Sequence, residues 1–237
     1  MRPYIDPRDH AFADGPAFTR PASLAVARAL FDRPEDGERL MALFEDFDAG
    51  AEAGEGLRLG LHARLLTPKA ERRVRIGRDC VIRGIIRCEG EGRVQIGDLV
   101  YIGDEVIVSA RTGVRIGEGS LLAHRAQVFD NDTHPTDAAE REAHYRAILK
   151  LGPRRDFAIP SAPVSIGARC WIGFGAAVMK GVSLGDETIV AAGAVVTRDA
   201  PKGSTLAGIP ARPVKARGGG IGKALRGLGR RDPGKIG

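Results

Sequence analysis

The chain has few aromatic residues and no long apolar run near its start. Aromatic residues make up 5% of its 237 residues, whereas glycine occurs 32 times. This composition argues against a core built around aromatic rings and is typical of a tightly repeating backbone. Because residues 1–20 contain no apolar run, we expect no signal peptide, no integral membrane segment and a cytoplasmic location.

Cysteine is also scarce. Cys80, Cys88 and Cys170 are odd in number and show no metal-type spacing such as CxxC. The sequence therefore predicts neither a disulfide framework nor a zinc site, and no other metal is expected.

The positive charge is concentrated at one end of the chain. The formal net charge is +6 at pH 7, and from Arg217 onward six basic residues stand against one acid, which leaves the rest almost neutral. We therefore expect no nucleic-acid binding. Residues 217–237 form a basic, glycine-rich tail that is predicted to be disordered.

Residues 22–48 predict one or two amphipathic helices. Ser23 can cap the first, and after Pro34 apolar residues recur at helical spacing, at Leu40, Leu43, Phe44 and Phe47. This apolar face should cover an end or a flank of the main domain. We assign residues 1–58 to an N-terminal helical cap, which ends in a connector.

From Val74 onward, aliphatic residues recur every six positions within groups. These positions are Ile76, Ile82, Ile96, Ile102, Val108, Ile116, Leu122, Val128, Ile166, Ile172, Val178, Leu184, Val190 and Val196. The residue after each is mostly glycine or small. A period of six fits neither a helix nor an alternating strand, but it fits a short strand followed by a bend. Three such faces make one coil, and stacked coils make a solenoid of triangular section.

A long insertion, residues 129–163, interrupts this repeat after a completed coil. It begins with FDNDTHPTD, and an insertion at a corner leaves the stack intact. Smaller two-residue insertions are predicted at corners around 83–95 and at 114–115. The predicted β-helix domain spans 59–216. Cys80 and Cys170 occupy repeat positions and are interpreted as small core residues.

The segment IGARCWIGFGAAVMKGVSLGDETIVAAGAVVTRDAPKGSTLAGIPARPVKA resembles the hexapeptide-repeat acyltransferases. It is similar above all to the branch of maltose, galactoside, nodulation-factor and polysaccharide O-acetyltransferases. The resemblance covers about residues 74–216 and rests on CWIG, IVAAGAVVTRD, AGIPARPV and the His-Pro of the insertion. It implies a mainly β fold, a left-handed parallel β-helix. It also implies a homotrimer with sites between subunits, acetyl-CoA or another acyl-CoA as co-substrate, and a loop histidine as base.

His134, in DTHP, matches the catalytic histidine of that family. A hydroxyl that attacks a thioester must lose its proton, and an imidazole with a pKa near neutrality can remove it. Pro135 biases residue 134 toward an extended backbone. Of the nearby aspartates, which also include Asp130 and Asp137, we choose Asp132 by proximity as the residue that orients the imidazole, and the choice among them stays open.

Two other histidines, His124 and His144, are interpreted as surface residues. The former occupies an outward position of a coil, and the latter lies in EAHYRA, which predicts a helical turn within the insertion. Neither is expected to take part in catalysis.

The resemblance also implies residues for the thioester. Trp171 matches a position near the acyl and acceptor end, and Phe174 stands where the family has a small residue beside the pantetheine arm. The other matching positions along the CoA channel and near the CoA phosphates are Ala192, Thr197, Arg198 and Arg212.

These matches predict a CoA-dependent O-acyltransferase, most simply an O-acetyltransferase, that modifies a saccharide or polysaccharide precursor by direct transfer. The family places an acceptor-binding asparagine where this chain has Gly103, so the acceptor and the acyl chain length stay open. One alternative is an N-acetyltransferase for an amino sugar or a nucleotide-linked amino sugar. Others are a non-catalytic assembly module and a γ-class carbonic anhydrase, whose zinc-ligand spacing the histidines lack.

Overall fold

A computed structural model describes residues 17–151 and 157–214, which include many short strands. The predicted disordered tail, 217–237, lies outside the described residues. The strands are, in chain order, β1 (Phe18–Thr19), β2 (Ala51–Ala53), β3 (Arg58–Leu59), β4 (Arg64–Leu66), β5 (Val74–Ile76), β6 (Val81–Ile82), β7 (Ile85–Cys88), β8 (Arg93–Ile96), β9 (Tyr101–Ile102), β10 (Ile107–Ala110), β11 (Gly113–Ile116), β12 (Leu121–Leu122), β13 (Gln127–Phe129), β14 (Val164–Ile166), β15 (Trp171–Ile172), β16 (Ala177–Val178), β17 (Ser183–Leu184), β18 (Ile189–Val190), β19 (Val195–Val196), β20 (Thr205–Gly208) and β21 (Ala211–Pro213).

The strands form three sheets, which are the three faces of a solenoid. Face 1 contains β1, β3, β6, β9, β12, β15, β18, β20 and β21; face 2 contains β4, β7, β10, β13, β16 and β19; face 3 contains β2, β5, β8, β11, β14 and β17. The strands are parallel except at the two ends of face 1, where β1 pairs with β3 and β20 with β21 in antiparallel fashion. This is the predicted left-handed parallel β-helix.

The core is the stack of inward aliphatic residues. All fourteen positions predicted from the six-residue period are at most 4% exposed. They align from coil to coil, so that on face 3 Ile76 pairs with Ile96, Ile96 with Ile116, and Ile116 with Ile166. Each coil therefore buries its apolar side chains only against its neighbours, as expected of a solenoid.

The geometry of many corners depends on the first and on the third residue after the inward residue. The first must be small because successive coils approach closely: a Cβ on Gly77 would lie 2.5 Å from the carbonyl carbon of Gly97. The third adopts the left-handed conformation, which the sequence pattern did not reveal. Non-glycine residues with φ between 54° and 62° occupy it at six corners, namely Asp79, Leu99, Glu105, Arg125, Arg169 and Glu187.

Three helices lie within the described part of the chain: α1 (Leu24–Ala29), α2 (Pro34–Gly50) and α3 (Ala138–Leu151), with a 3-10 turn at Lys69–Glu71. As predicted, the side chain of Ser23 caps α1, and its hydroxyl accepts a hydrogen bond from the Val26 N–H at 3.3 Å. Helix α2 buries Leu40, Phe44 and Phe47 in the same core cluster as the first coil.

Two details of the predicted layout differ from the structure. The extra residues between β10 and β11 are Arg111 and Thr112. The predicted insertion at 114–115 is wrong, because Val114 is buried inside β11. The first coil begins with Ala51–Ala53, which pair with β5, so the strands start before the predicted domain boundary at residue 59. The division into domains itself stays a prediction.

Candidate active site

The insertion is anchored at its base by Asp130, whose side chain is 0% exposed. Its carboxylate accepts hydrogen bonds from the backbone N–H groups of Arg111, Thr112 and Gly113, each at 2.7 Å, and from the Thr112 hydroxyl at 2.9 Å. The two extra residues at the preceding corner and Gly113, the first residue of β11, therefore present the donors that hold this buried charge. A carboxylate that is buried and saturated in this way ties the loop to the β-helix.

The outgoing and returning ends of the insertion lie side by side. Asn131 forms an antiparallel bridge with Ser161, the Asp132 N–H donates to the Pro160 carbonyl at 3.0 Å, and the Ala162 N–H donates to the Asp130 carbonyl at 2.8 Å. This pairing fixes the backbone just before the predicted base.

A tight turn presents His134. Thr133 has φ of 62°, and the His134 N–H donates to the Asp132 carbonyl at 2.7 Å, two residues back. A β-branched residue in the left-handed region is strained, and such strain concentrates at functional sites. The Thr133 N–H donates to the Asn131 side chain at 3.0 Å, and Pro135 is buried beyond the turn. The turn at Thr133, together with the buried Pro135, therefore fixes the backbone that carries the imidazole of His134.

The imidazole of His134 contacts that of His144, and the prediction that His144 is a surface residue is wrong. His144 is 4% exposed, and the two Nδ1 atoms lie 3.2 Å apart with the rings tilted by 59°. Burial, the His134 ring and the Arg111 guanidinium lower the pKa of His144, against a smaller raising effect of Glu89. Among the described residues, none hydrogen-bonds the Nε2 of His134.

Asp132 does not orient this imidazole. Its carboxylate binds the ammonium of Lys180 at 2.6 and 2.7 Å, on the corner after β16. The ring of His134 faces His144 instead, which corrects the assignment made by proximity. Asp137 accepts the Glu140 N–H at 2.9 Å in the first turn of α3. Each of these three described aspartates thus has a structural partner.

His124 keeps its predicted outward position but is bound to a coil neighbour. Its Nδ1 accepts the Asp104 N–H at 3.2 Å and lies 3.4 Å from the Asp104 carboxylate. The same carboxylate binds the buried guanidinium of Arg83. This group lies at the corner between faces 1 and 2, whereas the insertion leaves between faces 2 and 3.

The residues predicted for CoA are spread over the surface of the chain. Trp171 is 44% exposed in β15 on face 1, and Phe174 lies at the next corner, 5.9 Å from the Arg125 guanidinium carbon. The others are all exposed: Ala192, Thr197 and Arg198 around β19, and Arg212 in β21. Trp171 belongs to face 1, whereas the insertion leaves between faces 2 and 3. The described residues of one chain therefore do not bring His134 and all the positions predicted for CoA together in one cavity.

A groove of about 310 Å³ lies on face 3 beside the returning end of the insertion. It is lined by Arg93, Arg115, Pro163, Ser165 and Ser183, among others, and by none of the positions predicted for catalysis or CoA. Within residues 17–151 and 157–214, no cluster of three or more potential metal ligands occurs. Nor does any helix in these ranges have the length and apolarity needed to cross a membrane.

The cysteines give a first testable expectation. All three are buried, and burial raises the pKa of each thiol, that of Cys88 to about 11. Because the thiolate is the reactive form, we expect the native protein to react with an aromatic disulfide reagent far more slowly than the unfolded chain. Thiol titration with and without denaturant measures this, and rapid reaction of native protein would contradict the burial of the cysteines.

Comparisons with known proteins agree with this architecture. A family model described as the hexapeptide repeat of succinyl-transferase matches residues 163–198. Nodulation protein L of Rhizobium leguminosarum bv. viciae is 40% identical over 148 residues, which are 62% of this chain and 70% of that protein. A protein described as an acetyltransferase of colanic acid biosynthesis in Escherichia coli is 26% identical over 143 residues, 60% of this chain and 69% of its own length.

One solved structure shows the same fold. AntD, an N-acyltransferase from Bacillus cereus crystallised with dTDP and 3-hydroxybutyryl-CoA, superposes with a TM-score of 0.58. The match covers 78% of this chain and 93% of that chain at 16% sequence identity. The shared feature at this level of identity is the β-helix itself.

Proposed function

The chain belongs to the hexapeptide-repeat acetyltransferases, and from this premise we propose that it transfers an acetyl group from acetyl-CoA to a hydroxyl of a saccharide or polysaccharide precursor. The observation that carries the proposal is His134. It stands on a strained turn, its Nδ1 is engaged by His144, and its Nε2 has no partner among the described residues. An imidazole held in this way is suited to take a proton from a bound substrate.

The reaction is a direct transfer. The Nε2 of His134 removes the proton of the acceptor hydroxyl while the oxygen attacks the thioester carbonyl carbon. The C–S bond then breaks, and the thiolate takes the proton back from the imidazolium, which yields an ester and free CoA. The buried cysteines, with their raised thiol pKa values, are unsuited to serve as nucleophiles.

A neutral hydroxyl acceptor suits the charges around His134 better than an ammonium acceptor does. The carboxylates of Asp130 and Asp132 are already bound, by backbone N–H groups and by Lys180 respectively. Neither carboxylate is therefore available to bind a cationic substrate, and a protonated amino sugar would need such a partner. N-acetylation stays the second candidate, because the fold is shared with a structure described as an N-acyltransferase.

We further propose a homotrimer whose active sites lie between subunits, with CoA bound near Trp171, Phe174, Thr197, Arg198 and Arg212. The spread of these residues over one chain supports this, because a second copy could bring them close to a His134 loop. Face 1 also carries a ladder of outward apolar side chains, in which Leu121, 48% exposed, pairs with the half-buried Tyr101 on one side and the exposed Trp171 on the other. Apolar surface of this kind is typical of an interface.

The test is an acceptor panel with acetyl-CoA and longer acyl-CoA donors, followed by thiol release. We expect CoA release that depends on a saccharide, and a product whose acetyl group is removed by hydroxylamine, which cleaves esters and leaves amides intact. A hydroxylamine-resistant product would favour N-acetylation. No binding of CoA in calorimetry, under conditions where the protein is folded, would contradict the enzymatic proposal.

A further inference from the structure

Helix α3 buries one of its described side chains, and that side chain is a histidine. His144 is 4% exposed, whereas the neighbouring Tyr145 and Leu149 are 57% and 67% exposed. A helix packed on a core normally turns its apolar residues inward. Here the helix turns an imidazole inward against the predicted base, which indicates that the contact serves His134.

We propose that His144 is a positioning residue for His134: its Nδ1 accepts a hydrogen bond from the Nδ1–H of His134 and so keeps the Nε2 of His134 unprotonated in the resting enzyme. This inference deepens the proposed function and rests on it. The 3.2 Å between the Nδ1 atoms requires a proton on one of them. A base that acts through Nε2 must carry its own proton on Nδ1, so His134 is the donor and His144 the acceptor.

The surroundings of His144 hold it neutral, as an acceptor must be. Phe157 packs on its ring with centroids 4.8 Å apart. Arg111 donates to the Phe157 carbonyl at 3.2 Å, and its other guanidinium nitrogen lies 4.0 Å from Glu89. Because burial, the His134 ring and the Arg111 guanidinium lower the pKa of His144, against the smaller raising effect of Glu89, the native site resists a proton that the unfolded chain accepts. The depressed pKa of His144 therefore lowers the free energy of unfolding as the pH falls below the ordinary histidine pKa of about 6.5. Well above that pH it has no such effect.

The same hydrogen bond assists the chemical step. When the Nε2 of His134 takes the proton of the hydroxyl, the ring becomes an imidazolium and its Nδ1–H becomes a charged donor. Hydrogen bonds from charged donors are stronger than neutral ones, so the contact with His144 stabilises the protonated base. His144 then does for His134 what a buried carboxylate does in a Ser-His-Asp arrangement.

Two substitutions separate this role from simple support of the helix. In His144→Phe the ring is kept and the acceptor is lost. We expect kcat to fall about 10- to 100-fold with little change in the KM for acetyl-CoA, as for loss of a hydrogen bond to a charged group. The acidic limb of kcat/KM should move to lower pH, because the imidazolium of His134 loses its acceptor. His144→Asn places an amide oxygen near the lost Nδ1 and should restore most of the rate. Tyr145→Ala, on the exposed side of α3, is the matched control and should leave both parameters unchanged.

The tautomers provide a measurement that needs no turnover. The spectra are long-range proton–nitrogen NMR spectra of the full chain with labelled histidine, assigned with variants that each lack one histidine. They should show His134 protonated on Nδ1 and His144 protonated on Nε2. An Nε2-protonated His134, or His144→Phe with the wild-type pH profile and kcat, would overturn the proposal. If no acyl transfer is detected at all, the proposed function fails while the NMR result still decides whether His144 accepts the bond. If His144→Phe does not fold, His144→Asn and the wild-type spectrum decide it.

Discussion

His134→Ala should lower kcat for acyl transfer at least about a hundredfold, within the roughly 10²–10⁴ range expected when a general base is removed. The reason lies in the immediate surroundings of His134. The turn at Thr133 holds the imidazole at the surface, whereas the neighbouring imidazole of His144 is buried. The carboxylates of Asp130 and Asp132 are bound to backbone N–H groups and to Lys180, so these neighbours are not placed to take over. The measurement is thiol release with the best acceptor of the panel, at saturating acetyl-CoA.

His62→Ala is the matched control for this substitution. His62 is an exposed histidine in the turn before β4, far along the chain from the insertion. It should keep the wild-type rate, which separates loss of the base from a general effect of removing a histidine. Binding of CoA by His134→Ala should also persist, because the base touches the reacting hydroxyl and not the nucleotide. If His134→Ala turned over within about threefold of wild type, another group would have to be the base and the proposed mechanism would be wrong.

Asp130→Ala should destabilise the protein by about 3 kcal/mol or more, because several buried donors lose their acceptor and each costs about 1–3 kcal/mol. Without the carboxylate, three backbone N–H groups at the corner of residues 111–113 lose their acceptor in a site closed to water, and each orphaned donor costs free energy. The measurement is the free energy of unfolding in urea, at one protein concentration for all variants because any oligomer makes stability concentration-dependent.

Asp137→Ala is the control for this second prediction. Asp137 is an exposed aspartate of the same insertion and accepts one N–H in the first turn of α3, so its loss should cost about 1 kcal/mol, as for a typical helix cap. Equal effects of the two substitutions would mean that the buried carboxylate does not anchor the insertion. Asp130→Ala should also reduce acyl transfer in the fraction that stays folded, because the base is carried four residues further along.

Several parts of the site could be predicted from sequence because they are local. The Thr-His-Pro sequence marked the residue on the turn, and the six-residue period marked fourteen inward positions of the coils, all of which are buried. The partners of these residues could not be predicted in the same way. His144 lies 10 residues from His134, Lys180 lies 48 from Asp132, and the N–H donors to Asp130 lie 17 to 19 residues before it. Proximity in sequence favoured Asp132 as the partner of the imidazole, and the path of the insertion placed His144 there instead.

The sequence by itself determined the solenoid, its register and the point where the insertion leaves it. The reason is that one aliphatic side chain per face must be buried in every coil, and a small residue must follow wherever successive coils touch; both demands recur along the chain and can be read from it. Only the tertiary structure decided which imidazole the base contacts, which ammonium holds Asp132 and which corner binds Asp130. Those contacts depend on how a non-repeating loop folds back on the coils, where no period relates one residue to the next.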